Sequence, residues 1–194
     1  HRILPDDKDQ TIGDQKYLVP DNKIKRIVLC TGKVYFDLYE ARQGRDCKDV
    51  YLMRLEQLYP FPHKALAAEL KRFQNADIVW CQEEPRNNGS WFFVRDRLEA
   101  VLGEIGHKVS GPIYVGRPEA AAPATGLMSK HLEQQNKLID EALTVPNQTP
   151  RTRRVKSQSP LTTPSAKAPF GSSIKRTQEN TVAPKRKAKR VKKN

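Results

Sequence analysis

Between residues 24 and 143 the chain alternates short apolar runs with longer segments that carry apolar residues at helical spacing. Short runs rich in Val, Ile and Tyr favour β-strands, whereas apolar residues repeated every three or four positions favour helices that bury one face. The pattern predicts strands over 24–30, 49–58, 77–82 and 112–116. It predicts helices over 34–43, 63–73, about 90–102 and about 127–143. Each predicted strand is therefore followed by one helix.

This order of elements predicts the fold class α/β. Strands joined by crossover helices lie parallel, so we expect a three-layer, open, mostly parallel sheet over residues 22–144, with helices on both faces. Residues 1–21 are polar and punctuated by proline, and we interpret them as a linker from a missing upstream domain. Residues 145–194 are rich in Pro, Ser, Thr, Lys and Arg. They bury too little apolar surface to offset the entropy of ordering, so we predict a disordered basic tail.

The formal net charge of +13 is confined to that tail. Residues 145–194 contain 14 Lys and Arg residues and one acid, Glu179, which leaves residues 1–144 with 21 basic and 21 acidic residues. The predicted domain is therefore neutral. The runs at 151–156 and 184–193 are basic enough to bind nucleic acid or another polyanion, but without a folded platform such binding would be non-specific.

The cysteine, histidine and hydropathy patterns bear on three features: the redox state of the cysteines, a metal site and a membrane span. Cys30, Cys47 and Cys81 share no close spacing, which is typical of reduced, mostly buried residues in an intracellular protein. The four histidines are scattered and no Cys-x-x-Cys pair occurs, so we expect no metal site. No apolar run approaches about 18 residues, so we expect no membrane span.

Polar residues follow every predicted strand. In an open parallel sheet these positions meet at the edge where ligands bind, outside the carboxyl ends of the strands. Four of them form a candidate effector or anion site: Thr31, Lys33, Arg54 and Arg117. The "TGK" turn is too short for a phosphate-binding Walker loop. The alternative is that these bases pair with acids of the same edge, Glu56, Glu83 and Glu84.

The same edge carries aromatic and acidic residues that we interpret as an interface. "LYPFP" sets aromatic residues between prolines, and such rigid loops more often fill a domain or subunit contact than stack on a ligand ring. Glu83 and Glu84 are adjacent on an extended backbone and point to opposite sides, so they cannot act as one catalytic dyad. The predicted interface residues are Tyr59, Phe61, Gln82, Glu83, Glu84 and Trp91.

Four segments, in this order and at these distances, carry a resemblance to a known family. They are "VLCTGKVYFDLYEAR", "RLEQLYPFPHKAL", "VWCQEEPRNNGSW" and "YVGRPEAAAPATGLMSKHLEQQ". Over about residues 1–144 they closely resemble the carboxyl-terminal domain of the thiamine-diphosphate-dependent, decarboxylating first component of 2-oxoglutarate dehydrogenase. The sequences of these segments are most similar to those of alphaproteobacterial members. The resemblance implies a transketolase C-terminal-like domain.

The resemblance also implies which part of the full-length protein carries the catalytic groups. Full-length members decarboxylate 2-oxoglutarate with thiamine diphosphate and Mg²⁺, and pass the succinyl group to a lipoyl arm of the dihydrolipoyl succinyltransferase component. The thiamine-binding domains lie upstream, so the resemblance assigns no catalytic, cofactor-binding or metal-binding residue to this chain. It implies packing against those upstream domains, a homodimer mate and, in some relatives, a regulatory nucleotide or acetyl-CoA site.

Two further expectations follow. The resemblance implies a cytoplasmic location in a bacterium, or the mitochondrial matrix in a eukaryote. A competing hypothesis is that an inert α/β scaffold presents the basic tail to nucleic acid or to an anionic surface. The isolated chain is expected to be inactive as an enzyme.

Overall fold

The predicted alternation of strands and helices is present. A computed structural model describes residues 2–6, 11–12 and 15–146 of the chain. The strands are β1 (Ile3–Leu4), β2 (Thr11–Ile12), β3 (Gln15–Lys16), β4 (Arg26–Cys30), β5 (Val50–Leu55), β6 (Asp77–Pro85) and β7 (Ile113–Arg117). The α-helices are α1 (Val34–Gly44), α2 (His63–Leu70), α3 (Trp91–Glu104) and α4 (Met128–Leu143).

The main sheet has five strands in the order β1-β5-β4-β6-β7. The last four of these pair in parallel, whereas β1 pairs antiparallel with β5. β2 and β3 form a separate antiparallel pair. The prediction of an α/β domain with an open, mostly parallel sheet is therefore confirmed.

Helices cover both faces of the sheet, and each face has its own apolar core. Alternate side chains of a strand point to opposite faces, so Ile27 and Leu29 enter one core while Val28 and Cys30 enter the other. The first core is closed by α2 and α3, and the second by α1 and α4. The inner strands β4 and β5 are therefore apolar along most of their length, as expected for a sheet buried on both sides.

The boundaries differ from the predicted ones where the backbone finds other partners. β5 ends at Leu55 instead of residue 58, because the next two amides donate to the carbonyl of Arg2. α2 ends at Leu70, and a 3₁₀ turn over Lys71–Phe73 completes the predicted segment. β6 continues to Pro85, past the predicted end at residue 82, through an irregular register with β7.

Residues 3–6 add an edge to the sheet that the hydrophobic pattern did not predict. Ile3 and Leu4 pair with the end of β5, and the buried Asp6 carboxylate accepts a hydrogen bond from Leu52 N at 2.7 Å. The same carboxylate pairs with Arg42 of α1. Part of the segment predicted as a linker thus packs on the domain, and its connection to an upstream domain stays a prediction.

The basic tail lies outside the described residues apart from its first two positions, so its predicted disorder and its binding of nucleic acid stay predictions. Within the described part of the chain, no helix combines the length and the apolar character needed to cross a membrane.

Candidate functional site

The polar residues that follow the strands lie at one edge of the sheet, where the parallel strands end. After β4 the chain reverses through Gly32, whose φ of 73° lies in the left-handed region that favours glycine. This turn places Lys33 directly before α1 and within ion-pair distance of Glu83 of β6.

The Gln135 side chain of α4 is the centre of a hydrogen-bonded cluster at this edge. Its Nε2 donates to Asp37 Oδ2 at 2.8 Å and to Glu83 Oε1 at 3.0 Å. Lys33 Nζ lies 3.5 Å from each of the same two oxygens. These carboxylates, Glu83 above all, raise the pKa of Lys33 above its usual range. One lysine and one amide therefore satisfy two neighbouring carboxylates.

Arg117, the last residue of β7, continues the cluster. Its Nη2 donates to His131 Nδ1 at 3.0 Å and to Gln135 Oε1 at 3.1 Å. We call the six residues the edge network: Lys33, Asp37, Glu83, Arg117, His131 and Gln135. The network joins α1, β6, β7 and α4.

Arg117 is held in an unusual way for a buried cation. The residue is only 6% exposed, its two acceptors are uncharged groups, and its Nε is buried without a hydrogen-bond partner within the described structure. Buried charges are normally paired with an opposite charge, since their desolvation is costly. Neither hydrogen-bond partner of the Arg117 guanidinium is a carboxylate.

Arg117 also forms part of the wall of a pocket of about 360 Å³. Its wall consists of Arg117, the loop over 118–127, and residues Pro85, Lys130 and Gln134. Two cations thus line one pocket, together with the acid Glu119. The arrangement suits a ligand that carries negative charge.

The four residues of the predicted anion site have different partners in the structure, and their joint binding of an anion stays a prediction. Lys33 and Arg117 belong to the edge network, where Lys33 is already neutralised by acids. Arg54 lies opposite Cys30 in the pairing of β4 with β5. Its guanidinium carbon is 4.4 Å from the centroid of the Tyr35 ring, and its Nη1 is 3.4 Å from Glu56 Oε1. Thr31 is half-buried and lies outside the network. The alternative from the sequence, that bases pair with acids of the same edge, describes Lys33 and Arg54.

The six predicted interface residues fall into two groups. Tyr59 and Glu84 are exposed, and Phe61 and Glu83 are half-buried. Gln82 and Trp91, in contrast, are buried in the domain. The Gln82 amide accepts from Trp80 Nε1 at 2.9 Å and from Trp91 N at 3.0 Å, and it donates to the carbonyls of Glu84 and Pro85 at the end of β6. Gln82 therefore shapes the turn before α3, and the interface role of the six residues stays a prediction.

Three members of the edge network were missed by sequence reasoning: Asp37, His131 and Gln135. The available signal was spacing, because His131 and Gln135 are four residues apart on α4, as are Lys33 and Asp37 at the start of α1. Within the described residues, no group of three or more His, Cys, Asp or Glu side chains could hold a metal ion.

Comparison with known proteins gives the family. The family model for the 2-oxoglutarate dehydrogenase C-terminal region matches residues 1–143. The 2-oxoglutarate dehydrogenase E1 components of Brucella anthropi and Brucella ovis are each 55% identical over 143 residues, which is 74% of this chain and 14% of those proteins. That of Brucella abortus is 56% identical over 147 residues, with the same coverage. The chain thus spans about one seventh of the length of these relatives, and it belongs to the 2-oxoglutarate dehydrogenase C-terminal family.

Proposed function

We propose that the chain is the carboxyl-terminal domain of a 2-oxoglutarate dehydrogenase first component and that its role there is structural. In this role the domain packs against upstream catalytic domains and supports the homodimer. The observation that favours a structural role is the edge network, in which polar groups at the strand ends bond to one another.

A catalytic acid or base needs access to its substrate and a pKa near the working pH. At this edge Lys33 is paired with two carboxylates, which raise the pKa of its ammonium and make it a poorer base near neutral pH. The side-chain amide of Gln135 donates its hydrogen bonds to the same two carboxylates. The network therefore ties two helices to the sheet instead of presenting reactive groups.

For the whole protein we propose oxidative decarboxylation of 2-oxoglutarate with thiamine diphosphate and Mg²⁺, and transfer of the succinyl group to the lipoyl carrier of dihydrolipoyl succinyltransferase. The similarity to 2-oxoglutarate dehydrogenase E1 components and the sequence resemblance support this assignment. The described residues do not offer a metal-binding cluster for the cofactor. No step of the chemistry is therefore assigned to a residue of this chain.

A domain replacement tests the structural role. The region of the Brucella anthropi protein that matches residues 1–143 would be replaced by this chain, and 2-oxoglutarate decarboxylation would be compared with the parent and with a protein truncated before that region. The chimera is expected to form the parent's oligomer and to decarboxylate within a few-fold of the parent rate. The isolated chain is expected to show neither turnover nor binding of thiamine diphosphate.

Two results would overturn the proposal. One is decarboxylation by the isolated chain, which would require reactive groups within it. The other is a chimera whose oligomer and activity are no better than those of the truncated protein, although circular dichroism shows the domain to be folded.

A second candidate function is the binding of an anionic effector next to Arg117. Two observations on Arg117 support it: the residue is buried with uncharged hydrogen-bond partners, and it forms part of the wall of a pocket of about 360 Å³. The pocket would recognise a phosphate or carboxylate group, and the family resemblance suggests a nucleotide or acetyl-CoA. Of the predicted set, Arg117 would be the main contact, and Lys33 and Arg54 would contribute little because acids already pair with them.

Isothermal titration calorimetry with AMP and with acetyl-CoA tests this candidate. Arg117→Lys keeps the charge but loses the planar guanidinium, so binding is expected to weaken about tenfold or more, as at other bidentate arginine sites. Lys33→Ala is the matched control on the same edge and should bind as the parent does. If neither AMP nor acetyl-CoA gives binding heat, the candidate function is wrong. It is also wrong if Arg117→Lys and Lys33→Ala weaken binding equally.

A further inference from the structure

Exposed large hydrophobic side chains gather at one end of the domain. Seven occur among the described residues: Phe36, Tyr59, Phe92, Ile113, Leu127, Met128 and Leu132. Six of them, all except Ile113, lie in the loop after β5 or at the start of α1, α3 and α4. We call these six residues the apolar pole.

The position of these residues follows from the topology. Each crossover helix returns antiparallel to its preceding strand, so its first turns lie at the carboxyl edge of the sheet. Ile113 is the exception because it begins β7 and lies at the amino edge. The amino edge instead exposes polar residues: Asn22, Lys23, Lys25, Lys48 and Asn75. Exposed large hydrophobics are therefore concentrated at the carboxyl edge, which also exposes charged residues such as Lys33 and Glu84.

The degree of exposure at the pole is high. Tyr59 is 82% exposed, Met128 72% and Leu127 67%. Single exposed hydrophobics are common on soluble proteins, but a concentration of them at one end indicates a surface that a partner covers. Paired charges border the pole, including Arg54 with Glu56 and Lys33 with Glu83. Apolar residues within a polar rim are typical of protein interfaces.

The path of the chain indicates which partner covers the pole. The carbonyl of Arg2 accepts hydrogen bonds from Glu56 N and Gln57 N, both at 3.1 Å, where β5 ends. In the longer relatives the polypeptide that precedes this position therefore joins the domain at the apolar pole. A domain covalently linked at this position is held at a high effective concentration next to the apolar pole. The matched region is the carboxyl-terminal 14% of those relatives. Most of the polypeptide in those relatives therefore precedes the position of Arg2.

We infer that the apolar pole docks the domain onto the polypeptide that precedes it in the full-length protein, and that the polar amino edge faces away from that contact. This inference rests on the proposed function, because it assumes that the domain is part of a longer first component. It assigns the contact chiefly to Phe36, Phe92, Leu127, Met128 and Leu132. Of the pole residues, only Tyr59 was predicted from the sequence as an interface residue.

The two methionines of the chain allow a direct test. Met128 lies in the pole and is exposed, whereas Met53 is fully buried in the core. Peroxide oxidation of both would be followed by mass spectrometry, in the isolated chain and in the chimera described above. In the isolated chain Met128 should oxidise rapidly and Met53 slowly. In the chimera Met128 is expected to oxidise at least tenfold more slowly, which corresponds to an interface closed over it by about 1.4 kcal/mol.

The outcomes separate this inference from the proposed function. An active chimera in which Met128 oxidises as fast as in the isolated chain keeps the proposed function and overturns the docking surface. A folded chimera whose oligomer and activity are no better than those of the truncated protein overturns the proposed function itself. If Met128 becomes protected in the isolated chain as its concentration rises, a second copy covers the pole, and the assignment to the preceding polypeptide is wrong.

Substitutions provide a matched comparison. Phe36→Gln with Leu132→Gln should raise the oxidation rate of Met128 in the chimera at least about threefold, since the cover over it is weakened. The thermal midpoint of the isolated chain should change little, because both side chains are exposed there. Ile113→Gln is the control at the opposite edge and should leave Met128 oxidation unchanged. An equal effect of the control would refute the assignment of the surface.

Discussion

Replacing Asp6 by asparagine removes the charge on which a buried arginine depends. The side chains of Arg42 and Asp6 are 1% and 0% exposed, and both Nη atoms of Arg42 donate to the carboxylate. Arg42 Nη1 also donates to Val50 O at 3.2 Å, and its guanidinium lies over the rings of Tyr17 and Tyr39. This pair attaches the first residues of the chain to α1 and to β5.

The expected cost follows from burial. Breaking a buried ion pair by removing one partner typically costs about 3–5 kcal/mol, because the remaining charge stays desolvated. The amide that Asp6→Asn introduces would keep an oxygen for Leu52 N and for one arginine N–H, so we expect about 3 kcal/mol, the lower end of that range. A domain of this size is stable by only about 5–15 kcal/mol, so Asp6→Asn should be a severe variant.

Urea unfolding followed by circular dichroism measures the effect. A loss of about 3 kcal/mol lowers the midpoint by about 1–3 M urea for a typical dependence on denaturant. The matched control is Asp140→Asn, which removes the more exposed partner of the Arg45–Asp140 pair and should cost less than about 1 kcal/mol. The double variant Asp6→Leu/Arg42→Met removes both charges and should lose less than the two single changes together. If Asp6→Asn unfolds within about 1 kcal/mol of the parent, the pair does not hold the segment as described.

Three further predictions concern the core and the strand ends. Gln82→Leu leaves Trp80 Nε1 and Trp91 N without their acceptor and should cost about 2–6 kcal/mol in urea unfolding, at about 1–3 kcal/mol for each of the two unsatisfied donors; a loss below about 1 kcal/mol would contradict the role of the amide. The three cysteines are buried, and burial raises the pKa of Cys30 to about 12 and that of Cys81 well above its usual range. We therefore expect Cys30, Cys47 and Cys81 to react with a thiol reagent at about pH 8 only after urea is added, since the thiolate is the reactive form, and rapid labelling of the native protein would argue against this core. Burial raises the pKa of Tyr17 and Tyr114 to about 12 from 10.0, so the folded state keeps protons that the unfolded state loses. The contribution of these two tyrosines to the free energy of unfolding is therefore full below pH 10 and is lost as the pH rises from about 10 towards 12. The urea midpoint should fall over the same pH range. In a Tyr17→Phe/Tyr114→Phe variant this fall should be smaller.

Most of the fold could be predicted because strand and helix periodicity is a local property of the sequence. All four predicted strand and helix pairs are present, with ends displaced by a few residues. β1 was not predicted because two residues carry no periodic signal. Its position depends on the free edge of β5 and on the pairing of Asp6 with Arg42, which lie 36 residues apart in the chain.

The candidate site was predicted less completely, for a related reason. The edge that gathers the polar residues follows from parallel strand order, and the edge network there includes Lys33 and Arg117. Their binding of an anion together with Thr31 and Arg54 stays a prediction. Which group pairs with which depends on α4, whose Gln135 reaches Asp37 across 98 residues and Glu83 across 52. Sequence spacing gives no measure of such distances, so Gln135 and His131 were missed.

The sequence by itself determined the family, the α/β alternation and the confinement of basic charge to the tail, because each of these is encoded in residue order and composition. The tertiary structure decided that Gln82 and Trp91 are interior residues, that Arg54 lies on Tyr35, and that Arg117 is a buried cation with uncharged partners. It also decided that six exposed hydrophobics share one end of the domain. These features depend on which helix covers which strand end, and residues far apart in the chain become neighbours only when the two apolar faces of the sheet are buried.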